Sequence, residues 1–342
     1  MTAPEYDPFA RGRFPVGVRT ISAPDRARGR VFGCEIWYPA RSGDAGQAAG
    51  PGERREAAAQ PGEHPLIVFS HYAGGSRRSA TFLCTHLASH GYAVAALDHS
   101  EVVAPELAGR DGETESARAA RIDAVIASRV PDVRFLLDHL LDGGAAGTGL
   151  DETKVGLDET QIGLVGHSFG GWTALAAPET EPRVRAVVAL APGGSSRPRP
   201  GVLPLALTFA WGRDVPVLYL AAADDTPIPL DGVRELYRRT PGRKRMFILL
   251  RADHQHFVDD VEGEHEAVRA MSFPGDAAWM PAAMRPAAEL CTGEQAHVFV
   301  RGLTLSHLDA AVRRLDAAAR FLAGDVVGEL TARGVEATTH RP

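Results

Sequence analysis

A serine lies between two glycines in the stretch QIGLVGHSFGGWTALAAP, residues 161 to 178. The centre of this stretch, GHSFG, fits the pattern G-x-S-x-G, in which the serine occupies a sharp turn between a strand and a helix. Glycine on either side lets the backbone pass close to the serine, because no Cβ is in the way. A serine in an ordinary surface turn would lack the strand-like run before it and the helix-like run after it. The pattern therefore predicts that Ser168 is a nucleophile at the carboxyl edge of a sheet.

A serine nucleophile needs a base, and the base needs a group that orients it. Asp224 and Asp225 follow the apolar run 215 to 223, and His254 follows the run 245 to 252. Parallel strands end at one edge of a sheet, so these side chains are expected beside the serine. We predict His254 as the general base and Asp225 as the acid that orients it, with Asp224 as the competing choice.

The acidic and histidine residues around the predicted base also resemble part of a metal site. The group comprises Asp253, His254, His256, Asp259 and Asp260. No complementary cluster of ligands accompanies it elsewhere in the sequence, and a metal site needs ligands that converge. We therefore predict no metal and no other cofactor.

Backbone amides are expected to stabilise the negative charge that forms when the serine attacks a carbonyl. One is the amide of Phe169, which begins the helix after the serine. The second is predicted in the loop FSHYAGGSRRSA, where Ala73 and Tyr72 both lie in a suitable place. A phosphate-binding loop is the rival interpretation of these glycines, but G-x-x-x-x-G-K-[ST] is absent.

Several side chains near these positions are candidates for a substrate pocket. The main candidates are Tyr72, His167, Trp172 and Trp211, with Phe209 and the residues around Trp279 as further choices. Aromatic residues of this kind are more often part of the core.

The elements that must position these groups follow from short, continuous apolar runs. After two strands at 15 to 22 and 30 to 39, such runs occur at 65–70, 92–99, 161–168, 184–192, 215–223 and 245–252. Continuous hydrophobicity indicates burial on both faces, as in parallel strands covered by helices. Helices are predicted at 77–90, 115–141 and 169–177. The fold class is therefore α/β, a three-layer fold with a mostly parallel central sheet and helices on both faces.

We expect one domain over residues 1–342, with two insertions. Residues 41–64 are rich in glycine, proline and alanine and are predicted to be a flexible loop. Residues 262–296 contain three of the five methionines and are either a cap over the site or an ordinary packed insertion. Residues 303–323 have one apolar face and are predicted to form a C-terminal helix on the sheet, with Ser306 as its N-cap.

Composition excludes some functions and leaves others open. The chain has 37 Lys and Arg against 43 Asp and Glu, a net charge of −6, and no dense basic tract, so nucleic acid is not an expected partner. Three cysteines at unrelated spacings favour free thiols, although one disulfide would be compatible with them. We find neither a signal peptide nor a transmembrane segment and expect a soluble, cytoplasmic protein; the oligomeric state stays open.

The blocks FSHYAGGSRRSATFLCTHLASHGYAVAALDHSE, IGLVGHSFGG and DHQHF resemble the platelet-activating factor acetylhydrolase group of α/β-hydrolases, and are similar to cutinases and dienelactone hydrolases. The resemblance implies serine ester hydrolysis without a metal, with Ser168 as nucleophile and His254 as base. Two departures accompany it. The place of the acetylhydrolase acid holds Ala191, whereas the cutinase-like pattern matches Asp225. Tyr72 replaces a glycine common in the oxyanion loop, and Ala73 matches the family's donor.

These observations favour an enzyme that cleaves a carboxylic ester through an acyl-enzyme intermediate. The expected substrate is a small-molecule or lipid-like ester. Two alternatives stay open, namely an acyltransferase with the same residues and an inactive homologue that binds a ligand.

Overall fold

The strands of the molecule form one continuous sheet. The computed structural model describes residues 6–43, 47–50, 52–100, 107, 110–141 and 155–340. The strands in this part of the chain are β1 (Val16–Asp25), β2 (Arg30–Pro39), β3 (Gln47–Gly50), β4 (Glu53–Arg55), β5 (Glu63–Ser70), β6 (Ala93–Leu97), β7 (Gly156–His167), β8 (Val184–Leu190), β9 (Val217–Ala222), β10 (Lys244–Leu249) and β11 (Ala337–Thr339). Their order across the sheet is β11-β10-β9-β8-β7-β5-β6-β2-β1-β4-β3.

The middle of the sheet is parallel and buried on both faces. Strands β6, β5, β7, β8, β9 and β10 all run in one direction, while β2, β1 and β11 pair antiparallel at the two sides. The buried apolar residues form two hydrophobic cores, and successive residues of one strand pack into different cores. In β9, for example, Tyr219 belongs to one core and Leu220 to the other. This alternation explains why the strands read as continuous apolar runs.

Helices cover both faces and complete three layers. The helices in the described residues are α1 (Thr81–Ser89), α2 (Glu115–Leu141), α3 (Phe169–Ala176), α4 (Leu230–Arg239), α5 (Val261–Ala270), α6 (Met280–Ala283), α7 (Gly293–Ala311), α8 (Asp316–Ala323) and α9 (Val326–Thr331). Residues of α2, α3 and α4 join one core, and residues of α1 and α7 join the other. The predicted three-layer α/β fold is confirmed.

Part of segment 41–64 is strand, whereas composition predicts a loop there; its residues 44–46 and 51 lie outside the described residues. β4 pairs parallel with β1, and β3 pairs with β4. Glu53 holds this segment to the body because its buried carboxylate accepts hydrogen bonds from the Trp37 indole at 2.7 Å and the Thr85 hydroxyl at 2.6 Å. These partners lie 16 and 32 residues away in the sequence, so the composition of the segment itself does not reveal them.

The predicted C-terminal helix at 303–323 is two helices, α7 and α8. Helix α7 begins much earlier, after Thr292, whose hydroxyl accepts from the Gln295 amide in a reciprocal capping box. Ser306 lies inside α7, where its hydroxyl donates to the Gly302 carbonyl at 2.6 Å, so its predicted role as N-cap is wrong.

Two further features bear on the expectations from composition. Among the residues described, no helix is both long enough and apolar enough to cross a membrane. The cysteines Cys34, Cys84 and Cys291 are buried free thiols.

Candidate active site

Ser168 occupies a strained turn between β7 and α3. Its φ is 57° and its ψ is −112°, a conformation that L-residues adopt rarely and at some cost in free energy. A Cβ on Gly166 would overlap the Gly170 carbonyl, and a Cβ on Gly170 would overlap the Ser70 carbonyl. Both glycines of the G-x-S-x-G pattern are therefore required by close backbone contacts.

Backbone hydrogen bonds hold this turn in place. The Ser168 amide donates to the Leu190 carbonyl at 2.9 Å, and the Ser168 carbonyl accepts from the amides of Trp172 at 3.0 Å and Gly193 at 3.2 Å. The Ser168 hydroxyl has no hydrogen-bond partner within the described part of the chain, and the residue lines a cavity that His254 also lines. The backbone of Ser168 is thus fixed while its hydroxyl stays available.

His254 is paired with Asp225 and not with Asp224. The His254 Nδ1 donates to Asp225 Oδ2 at 2.9 Å, and Asp225 Oδ1 accepts from the Ile228 amide at 2.7 Å. Both side chains of the pair are buried. Asp224 instead lies 3.5 Å from Arg285 on the surface, with a third of its side chain exposed. Of the two acids open from sequence, Asp225 is the one that the fold brings to the histidine.

Asp253 connects the loop of the histidine to the loop of the acid, a role that sequence reasoning missed. Its Oδ1 accepts from the amides of Thr226 and His254, each at 2.6 Å, and its Oδ2 accepts from the Thr226 hydroxyl at 2.6 Å. Thr226 directly follows the acid, so one buried carboxylate fixes both members of the pair. The only signal in the sequence is an acidic residue that directly precedes the histidine.

The electrostatics of the pair favour a basic imidazole. Burial opposes charge on His254, but the carboxylate of Asp225, helped by that of Asp253, raises its pKa above 6.5. The His167 ring lies 4.7 Å from the His254 ring. Burial and the neighbouring imidazole hold the pKa of His167 well below 6.5, so His167 stays neutral.

His256 does not join His254 in a common site. Its Nδ1 accepts from the Asp253 amide at 3.0 Å, and its Nε2 donates to the Cys291 carbonyl at 3.1 Å. Both nitrogens are therefore used in capping the turn after β10. Across the described ranges, no group of three or more His, Cys, Asp and Glu residues is placed to hold a metal ion.

The predicted donors of the oxyanion hole lie on the same cavity. Tyr72, Ala73 and Phe169 all line it. Phe169 is the first residue of α3, so its amide has no acceptor within the helix. Neither the Ala73 amide nor the Tyr72 amide has an acceptor among the described residues. The amide of Phe169 and either of these two are therefore available to an anion.

The cavity beside Ser168 has a volume of 470 Å³ and a largely apolar wall. Segment 262–296 forms one side of the cavity, and residues that precede and follow β9 form another side. The apolar residues are Val202, Leu203, Leu205, Pro227, Ile228, Val268, Met271, Phe273, Met280 and Met284; the polar ones include Gln255 and Glu264. Segment 262–296 therefore contributes directly to this wall.

Of the four predicted pocket residues, Tyr72 lines the cavity and the other three do not. Trp172 donates its indole N–H to the Ala206 carbonyl at 2.8 Å, and Trp211 donates to the Leu175 carbonyl at 3.2 Å. Both are buried and hold the segment before β9 against α3. His167 is buried, with its ring 4.7 Å from the His254 ring. A buried indole needs an acceptor, and here backbone carbonyls of the core supply it.

Comparisons with known proteins agree with this architecture. Residues 11–115 match a family model described as platelet-activating factor acetylhydrolase, isoform II. The solved structure of a ferulic acid esterase from Streptomyces cinnamoneus has a similar fold, with a TM-score of 0.68 and 24% sequence identity over 97% of this chain and 98% of that chain. A model described as alpha/beta hydrolase family matches residues 67–342, most of the chain. The chain therefore belongs to the alpha/beta hydrolase family.

Proposed function

We propose that this protein is a serine hydrolase that cleaves a carboxylic ester through an acyl-enzyme intermediate. The observation that carries the proposal is the buried pair of Asp225 and His254, 2.9 Å apart, in which His254 lines the same cavity as Ser168 in its strained turn. The family, the match to an acetylhydrolase model and the fold of an esterase support ester hydrolysis as the reaction.

In the first half of the reaction, Ser168 Oγ attacks the ester carbonyl as its proton passes to His254 Nε2. The hydrogen bond from Nδ1 to Asp225 keeps Nε2 unprotonated beforehand and stabilises the imidazolium afterwards. Hydrogen bonds of catalytic residues are often long without substrate, so the bond from Ser168 to His254 is expected to form on binding.

The amides of Phe169 and Ala73 donate to the oxyanion of the tetrahedral intermediate. Each such donor typically contributes about 3 kcal/mol to the transition state. The intermediate then collapses as His254 returns the proton to the leaving alcohol, which leaves an acyl group on Ser168. A water molecule, deprotonated by His254, attacks this acyl group, and the carboxylic acid is released as Ser168 regains its proton.

The cavity favours esters with an apolar acyl or alcohol part of moderate size. A volume of 470 Å³ lies in the range of small-molecule sites. Methionines from segment 262–296 adapt to irregular shapes, and we propose that this segment acts as a cap. The esterase with the similar fold is named for ferulic acid, so an aromatic acyl group belongs among the test substrates.

The proposal is tested with p-nitrophenyl acetate, butyrate and octanoate and with methyl ferulate. The wild type is expected to hydrolyse at least one of them, and Ser168→Ala is expected to be slower by at least about a thousandfold. Circular dichroism shows whether the variant is folded. Equal, slow rates for wild type and variant on every ester would overturn the proposal.

A further inference from the structure

Arg129, on helix α2, is fully buried and joins the two backbone segments that carry the proposed oxyanion donors. Its Nη1 donates to the Ser70 hydroxyl at 3.1 Å and to the His71 carbonyl at 2.8 Å, and its Nη2 donates to the Tyr72 carbonyl at 3.4 Å. Its guanidinium carbon also lies 4.0 Å from the centre of the Phe169 ring. One cation thus contacts the loop after β5 and the first residue of α3.

The contact with the Tyr72 carbonyl affects the direction of the next amide. In a trans peptide the C=O and the N–H point to opposite sides, and the N–H of this peptide belongs to Ala73. The Tyr72 carbonyl accepts from Arg129, from His71 Nδ1 at 2.6 Å and from the Gly75 amide at 3.0 Å. These donors hold the carbonyl on the buried side, so the Ala73 N–H is held on the side of the cavity. Hydrogen bonds to a carbonyl also polarise its peptide and strengthen the N–H as a donor.

A buried chain of hydrogen bonds that begins at Ser70 supports the Arg129 side chain. Ser70 donates to His99 Nε2 at 3.0 Å, and His99 Nδ1 donates to Asp132 Oδ2 at 2.9 Å. Burial, together with Arg129, keeps the pKa of His99 well below 6.5, so the ring is neutral and one nitrogen accepts while the other donates. Burial raises the pKa of Asp132 to about 6, so its carboxylate is ionised at pH 8. Besides holding the His99 ring, it pairs with Arg28 at 2.7 Å and with Arg30 at 3.4 Å.

This chain has the Ser, His and Asp connectivity that we propose for the active site, but it is closed to solvent. Ser70 is 3% exposed, His99 1% and Asp132 0%, and none of them lines the cavity. No substrate reaches Ser70 in this fold, so its role is to hold neighbouring groups.

We propose that Arg129 is a positioning residue that aligns both oxyanion donors, the Ala73 amide through the Tyr72 carbonyl and the Phe169 amide through the Phe169 ring. The inference rests on the proposed ester hydrolysis. It concerns a side chain that acts through the backbone and does not touch the substrate.

The test measures which kinetic constant changes in variants of Arg129. In Arg129→Lys and Arg129→Met at pH 8, kcat per reactive serine is expected to fall on the order of ten- to a hundredfold, with KM within about twofold of wild type, because the oxyanion forms only in the transition state. The inhibition constant of phenylboronic acid, which forms a tetrahedral adduct with serine, is expected to rise in step. Reactive serines are counted by complete reaction with a fluorophosphonate.

Arg213→Lys is the matched control. The Arg213 guanidinium likewise donates to backbone carbonyls, those of Val184, Pro178 and Glu181. These lie near the amino end of β8, whereas Ser168 follows the carboxyl end of β7. It is expected to lower thermal stability without a change in kcat per reactive serine. This variant separates loss of an arginine that donates to backbone carbonyls from loss of oxyanion alignment.

Folded Arg129 variants with wild-type kcat and an unchanged boronate constant, or with a change in KM alone, would overturn the inference. If neither folds, Ser70→Ala carries the test, because it removes one acceptor of Nη1 by deleting a single hydroxyl; a severalfold lower kcat supports the inference and a wild-type kcat contradicts it. A wild type that neither hydrolyses esters nor reacts with the fluorophosphonate refutes the proposed function instead.

Discussion

Replacement of Asp225 by asparagine is expected to abolish most activity by changing the tautomer of His254. The Ile228 amide lies 2.7 Å from Oδ1 and needs an acceptor, so the side-chain carbonyl of the new amide faces Ile228. The NH₂ group then faces His254 Nδ1, where Asp225 Oδ2 lies at 2.9 Å. Nδ1 becomes an acceptor, the proton moves to Nε2, and Nε2 can no longer accept the proton of Ser168.

The expected loss in kcat is on the order of 10³- to 10⁴-fold. This is the size of the loss when the aspartate of a Ser-His-Asp triad is replaced by asparagine, which is neutral and has the same shape. This equals about 4 to 5.5 kcal/mol in the activation free energy. The pair is almost completely buried, with 9% of the His254 side chain and 2% of the Asp225 side chain exposed, so solvent does not screen the interaction.

Asp224→Asn is the control for this experiment, because the two acids are neighbours in sequence. Asp224 lies 3.5 Å from Arg285 with both side chains partly exposed, and such ion pairs contribute little. Its kcat on p-nitrophenyl butyrate is expected to stay within about twofold of wild type. If Asp224→Asn loses more activity than Asp225→Asn, or if Asp225→Asn retains more than about a tenth of the wild-type kcat, the reasoning is refuted.

Three further predictions concern the base, its loop and the cavity. In a pH profile, kcat/KM should fall as pH drops through the His254 pKa, raised above 6.5 by Asp225, because only the neutral imidazole accepts the serine proton; a midpoint near or below about 6 would contradict this. Asp253→Ala should lower the free energy of unfolding by about 2 to 5 kcal/mol in urea denaturation, since two buried amides lose their acceptor; a loss under about 0.5 kcal/mol would contradict it. Met280→Ala widens the cavity and should therefore raise the kcat/KM for p-nitrophenyl octanoate severalfold relative to that for the acetate. The control Arg197→Ala, at an exposed position, should leave this ratio as in wild type. An unchanged ratio in Met280→Ala would argue against a role for this wall of the cavity in selectivity.

The sequence predicts the central sheet and the carboxyl-edge residues well because both depend on local patterns. Parallel strands covered on both faces require continuous apolar runs, and a tight turn requires glycine at fixed spacing. Strand ends share one edge, so residues that follow separate runs come together without knowledge of their contacts. Asp225 and His254, 29 residues apart, are paired in the structure for this reason.

Buried polar contacts between distant segments could not be predicted in this way. Arg129 binds Ser70 across 59 residues, and nothing near either residue indicates the other. The aromatic residues show a related difficulty, since Trp172 and Trp211 are apolar enough for a pocket or a core. Their location is decided by which carbonyl accepts the indole N–H, a contact that requires the folded chain.

The most direct test of the account is to identify the serine that a fluorophosphonate modifies. Peptide mass spectrometry of the wild type should place a single adduct on Ser168, and Ser168→Ala should remain unmodified under the same conditions. An adduct on any other serine, or full modification of Ser168→Ala, would contradict the assignment of Ser168 as the nucleophile.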